Sequence, residues 1–194
     1  MPVSSPCRRR LLCGGLLAGL AVHAAGAEET ARFDSTLLVA TPALGEGLFA
    51  RTVILAAGTP RGEVVGLILN RPTPEPLPDW AVPRERPGRV SGVQRGGPLA
   101  PDQLFALAEG SFAVEGSLAV GTNLRLLTGA RAVRAGLGSA SGRVRLYRGY
   151  AGWAPGQLAG EMAGGFWRPR ELEADQVFSA VPDTLWQQLG GGAA

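Results

Sequence analysis

The sequence predicts an α+β fold, and three observations carry that prediction. Three short, almost continuously apolar β-rich runs lie between residues 36 and 69. Strand and helix patterns are intermixed after residue 96, and they never settle into the β-α-β alternation of a doubly wound sheet. Residues 36–40 (TLLVA), 52–56 (TVILA) and 64–69 (VVGLIL) are the three runs, and their continuity suits strands covered on both faces. Pro72, Pro74, Pro76, Pro78, Pro83 and Pro87 then mark a long loop, because proline removes backbone donors and fixes φ. Leu77, Trp80 and Val82 are placed to pin it to the surface.

Beyond Gly96-Gly97-Pro98, residues 104–108 (LFALA) and 117–120 (SLAV) are predicted strands, and 130–137 a short helix ended by Gly138. Residues 144–148 (VRLYR) alternate apolar with basic, the period of a half-buried strand. Pro155 opens a helix over 156–163 that Gly164-Gly165 stops. A last helix is expected over 182–189, with Asp183 in its first turn, where a carboxylate favours the dipole. No fixed-period repeat is present, and residues 28–194 are long enough for one domain with its own core.

Charge divides the chain differently. The formal net charge is +3, from nineteen basic and sixteen acidic residues. Arg8, Arg9 and Arg10 precede a Leu/Ala/Gly-rich run from Leu11 to Val22, and Ala24-Ala25-Gly26-Ala27 then leads into Glu28-Glu29. A basic end, an apolar stretch of about a dozen residues and an A-x-A site are the parts of a secretory signal peptide. Residues 1–27 are therefore expected to be a signal peptide cleaved after Ala27, leaving a periplasmic or secreted domain with no membrane attachment. The Arg8-Arg9-x-Leu11-Leu12 order also resembles a twin-arginine signal, so both the twin-arginine and the general secretory routes stay open. The alternative is a misplaced start codon, with a native start nearer Phe33 and a cytoplasmic protein.

Residues 28–194 keep sixteen arginines against sixteen acids and contain no His, Cys or Lys, since His23, Cys7 and Cys13 all lie in the first 27 residues. Serine-histidine triads, Cys/His dyads, zinc sites, disulfides and lysine Schiff bases are thereby excluded from this region. A neutral domain also lacks the net charge that dominates phosphate affinity, which argues against nucleic acid as a partner.

The stretch Arg148-Gly149-Tyr150-Ala151-Gly152-Trp153-Ala154-Pro155-Gly156-Gln157-Leu158, followed by Glu161 and Trp167, resembles the hallmark of the YqgE/AlgH family of bacterial proteins. Supporting segments occur in the family's order: Leu37 to Pro42 with Phe49 and Arg51 to Ile54, Gly66 to Pro72, Gly96-Gly97-Pro98, and Phe178 with Trp186. The resemblance covers about residues 36 to 190. It implies a mixed, partly closed, barrel-like β-sheet flanked by helices and little about chemistry. No cofactor and no metal are expected, although a hard-ion site built from carboxylates stays possible in a region without His or Cys. The family carries a transcriptional-regulator label, but nothing in this sequence resembles a recognition helix. Where the family commonly has Cys-x-His this chain has Ala57 and Thr59, and a second family histidine falls on Ala108. These departures and the export signal suggest a diverged, exported paralogue.

Candidate site residues follow from these motifs. Gln157 and Glu161 are four apart and share a helix face, and with Tyr150 and Trp153 they could wall a pocket. The competing reading, which leads, is a packing hub in which glycines at 149, 152 and 156 permit close backbone approach. Asn70 could satisfy a turn while Arg71 binds an anion. Gly96-Gly97 could offer N–H groups to an anion or form a plain tight turn. Catalytic residues are not assigned. The expected role is binding of a protein or small ligand of unknown identity, and the alternative is a hydrolase-like enzyme using Glu161 with Gln157 or Asp102.

Overall fold

A computed structural model describes residues 35–81, 89–179 and 181–192. The proposed signal segment, Phe33, Val82, Pro83 and Pro87 lie outside the described residues. Among the described residues nine strands build one curled sheet, a half-barrel flanked by a few helices, as the α+β prediction requires. They are β1 (Thr36–Ala40), β2 (Val53–Gly58), β3 (Val64–Ile68), β4 (Val90–Arg95), β5 (Leu99–Glu109), β6 (Ser117–Ala119), β7 (Leu124–Thr128), β8 (Val144–Trp153) and β9 (Trp167–Arg170). The order is β6-β7-β5-β8-β3-β2-β1-β9, with antiparallel neighbours, and β4 lies parallel to β8 beside this path. The helices are α1 (Gly129–Ser139), α2 (Gln157–Ala163), α3 (Ala174–Val177) and α4 (Leu185–Gln188).

β8 holds the two halves together. Its first half pairs with β5 on one edge and β4 on the other, through Leu146↔Ala106 and Leu146↔Val93. Its second half pairs with β3 from Val64↔Trp153 to Gly66↔Ala151. Alternation along the strands then sorts side chains by face. Leu37, Val53, Leu55, Leu67, Leu107, Leu126 and Tyr147 join one cluster that spans both halves and is covered by Val177, Phe178 and Leu185 of the C-terminal segment. The opposite face is divided between a cluster under α1 (Ala106, Leu127, Val133, Leu146) and one under α2 (Ile54, Ile68, Trp153, Leu158).

The structure corrects several element boundaries. β8 does not stop at Arg148 but continues through Gly149, whose φ of +67° bends the strand without ending it. β5 begins at Leu99 rather than Leu104, with a register shift between them. Three strands were not predicted: β4, whose VSGVQR alternation is broken by a glycine; β7; and β9, whose WRPR contains a proline tolerated because the strand is at the sheet edge. α1 runs past Gly138 to Ser139, α2 begins at Gln157, and the last predicted helix is a 3-10 turn (Pro182–Thr184) followed by α4. The proline-rich loop contains a 3-10 turn at Asp79–Ala81, where Leu77 and Trp80 pack under it and Arg134 lies 4.3 Å over the Trp80 ring.

Candidate functional site

Glycines set the geometry where the sheet halves meet. A methyl at Gly149 would stand 2.5 Å from the Gly97 carbonyl oxygen, and one at Gly96 would stand 2.2 Å from the Gly149 oxygen. Only hydrogen fits between these backbones. Gly96 N donates to Arg148 O at 2.7 Å and Gly96 O accepts from Ile68 N at 2.9 Å, so the Gly-Gly segment is clamped between β3 and β8. The Gly96 N–H is thus committed to the backbone.

Next to this junction, Asn70 is buried two residues past the end of β3. Its Oδ1 accepts from Val53 N at 2.9 Å and its Nδ2 donates to Arg51 O at 2.8 Å. Arg51 has a φ of +53°, and Asn70 and Arg71 both donate to its carbonyl. Arg71 also donates through Nη2 to Ala50 O at 2.5 Å and through Nη1 to Asn70 O at 3.1 Å. Partial burial lowers the pKa of this guanidinium from its ordinary value, Asp183 opposes the shift and Arg51 adds to it. Arg71 lines a cleft of about 420 Å³ together with Leu48, Ile68, Pro72, Thr73, Pro74, Glu75 and Arg95. At its edge, Glu75 accepts from Arg148 Nε at 2.6 Å.

The hallmark helix builds a second cluster. Glu161 Oε2 accepts from two indoles, Trp167 Nε1 at 2.7 Å and Trp153 Nε1 at 2.9 Å, and its Oε1 accepts from Gln157 Nε2 at 3.0 Å. Gln157 Oε1 in turn accepts from Ala154 N at 3.2 Å, which ties the helix start to the end of β8. The Trp153 and Trp167 rings meet edge to face with centroids 6.0 Å apart, and Phe49 meets Trp167 at 6.1 Å. Both indoles are buried.

The structure therefore joins Trp153, Gln157 and Glu161 and adds Trp167. It does not bring Tyr150 to them. Tyr150 lies on the opposite face against Phe105, at 5.3 Å between centroids, and burial raises its hydroxyl pKa, with Glu63 acting in the same direction. Asp102 is exposed in the irregular start of β5, where its carbonyl accepts from Arg148 Nη1. Ala57 and Ala108 are buried in different clusters. Sequence reasoning missed Arg95, Leu48 and Glu75 as cleft residues. Arg95 directly precedes Gly96-Gly97 and was the legible signal. Among the described residues no group of three or more His, Cys, Asp or Glu gathers as a metal site.

The sequence matches the AlgH-like family over residues 37–191. The chain belongs to the AlgH-like family. Its relatives include a UPF0301 protein of Streptomyces coelicolor, 35% identical over 180 residues, covering 84% of this chain and 88% of that protein. A UPF0301 protein of Methylococcus capsulatus is 35% identical over 159 residues, covering 78% and 86%. The fold is shared with the solution structure of AlgH from Pseudomonas aeruginosa, at a TM-score of 0.64 and 23% identity over 86% of this chain and 90% of that one. A crystal structure of a Corynebacterium diphtheriae protein matches with the same TM-score and identity over 90% and 93%. Within this AlgH-like chain the family match takes in both the Arg71 cleft and the Glu161 cluster.

Proposed function

We propose that this AlgH-like protein is an exported, non-catalytic binding protein. One observation carries the reading: both oxygens of Glu161 already accept hydrogen bonds, from Trp153, Trp167 and Gln157. A carboxylate fixed in this way anchors β8 and β9 to α2, whereas a general base needs an oxygen directed at substrate. The missing His, Cys and Lys of residues 28–194 support the same conclusion. The cleft beside Arg71 offers the concave surface that a small ligand or a segment of a partner protein needs.

Two measurements test the proposal. Purified protein should turn over no ester, glycoside or phosphate substrate; turnover that disappears in Glu161→Gln would establish the hydrolase alternative. Export rests on the basic, apolar and A-x-A order of residues 1–27. Intact mass of protein recovered from the periplasm should correspond to a chain starting at Glu28. A chain starting at Met1 in the cytoplasm would overturn the proposed location.

A further inference from the structure

We infer that the cleft between Arg71 and Arg95 binds a small carboxylate carried on an apolar chain. The inference rests on the binding-protein reading and supplies its ligand class.

A guanidinium has five N–H groups, and the bonds of Arg71 to Ala50 O, Arg51 O and Asn70 O use Nη1 and Nη2. These anchors fix the group and leave donors, Nε among them, for an anion. Arg95 lines the same cleft, is exposed, and has no side-chain partner among the described residues. Carbonyl anchors orient Arg71 but do not neutralise it. Arg95 and Glu75 are the other charged residues of the lining, and the Glu75 carboxylate is turned to Arg148. The lining of the cleft thus holds two basic groups and one acidic one, a net excess of one positive charge, in a region (residues 28–194) whose overall charge is zero. That excess suits a single carboxylate, which guanidinium recognises through paired N–H donors.

Apart from Thr73 and Glu75, the rest of the lining is apolar. Ile68 is buried, Pro72 and Pro74 present rigid rings, and Leu48 is one of two large hydrophobic residues exposed among the described residues, at 44%. An alkyl chain seated in the cleft would lie against the exposed Leu48 side chain and the two proline rings, removing apolar surface from water. At about 420 Å³ the cleft falls within the range of small-molecule sites.

The test titrates the isotope-labelled full chain with hexanoate, acetate, 1-hexanol and inorganic phosphate, followed by amide and guanidinium NMR shifts. Hexanoate should give saturable shifts at Thr73, Glu75 and Arg95, acetate should bind more weakly, and 1-hexanol and phosphate should not saturate. Arg95→Gln, at an exposed position, should leave the fold intact and weaken hexanoate about tenfold, the loss of one charge-assisted contact. Leu48→Ala should bring hexanoate down to the level of acetate. No saturation with hexanoate, equal binding of 1-hexanol, tighter binding of phosphate, or indifference to Arg95→Gln would each overturn the inference. Substrate turnover, by contrast, would overturn the non-catalytic reading without touching the carboxylate site.

Discussion

Gly149→Ala isolates the junction on which the sheet depends. The residue sits at φ +67°, where an L-residue with a Cβ loses about 1 kcal/mol relative to its right-handed conformation. A methyl there would also stand 2.5 Å from Gly97 O and 2.8 Å from Leu99 O. Both neighbours are backbone atoms, so relief requires β5 or the Gly96-Gly97 segment to move, and overpacking of this kind costs about 1–3 kcal/mol. The expected loss is about 2–4 kcal/mol, which for a domain of this size lowers Tm by roughly 5–15 °C. Urea unfolding and calorimetry of wild type and variant measure it. Gly160→Ala is the matched control: it lies inside α2 with nothing within 4 Å of its added methyl, so it should gain about 0.5–1 kcal/mol from helix propensity. A Gly149→Ala protein melting within a degree or two of wild type would refute the account of β8 as a strand bent through a glycine-only contact.

Other expectations follow from the same geometry. Asn70→Ala leaves Val53 N without its acceptor and Arg51 O without one of its donors, so chemical denaturation should show a loss of about 2–4 kcal/mol. Glu161→Ala removes the acceptor shared by the Trp153 and Trp167 indoles; near-ultraviolet circular dichroism should change and stability fall by about 2–4 kcal/mol, with Glu161→Gln losing less. Arg143, through Nε and Nη2, holds both oxygens of Glu109, at 3.0 and 2.6 Å, and these hydrogen bonds lower the Glu109 pKa. A lowered folded-state value means that stability is fully present above the ordinary carboxylate range and is lost as pH falls through the folded value. Acid unfolding curves should therefore steepen below about pH 4.5, and Arg143→Gln should flatten that limb.

What was legible in the sequence was whatever depended on local pattern. The apolar runs that became β1, β2 and β3 were readable because both of their faces are covered, and Pro182 and Asp183 marked the start of the last helical segment. β9 was not readable, since its residues WRPR owe their strand geometry to pairing with β1, as in Ala40↔Trp167, and not to propensity. β4 was hidden for a similar reason. Its parallel partner β8 lies some fifty residues away in the chain, and a shift of register between Val90 and Val93 breaks the alternation that would have revealed it.

The hallmark shows how parity separates neighbours that spacing seems to join. Gln157 and Glu161 meet because α2 is a helix and four residues return to the same side. Tyr150 and Trp153 are three apart within β8, and in a strand an odd separation places side chains on opposite faces. Tyr150 accordingly supports the cluster under the C-terminal segment, while Trp153 joins Trp167 in holding Glu161. One short motif thus contributes a wall to each side of the sheet, and the glycines at 149 and 152 belong to the crossing between them. This division explains why the motif is dense in aromatic residues and glycine while its carboxylate is already hydrogen-bonded, and it moves the search for a ligand from the hallmark itself to the arginine-lined cleft at the other end of the Gly96-Gly97 clamp.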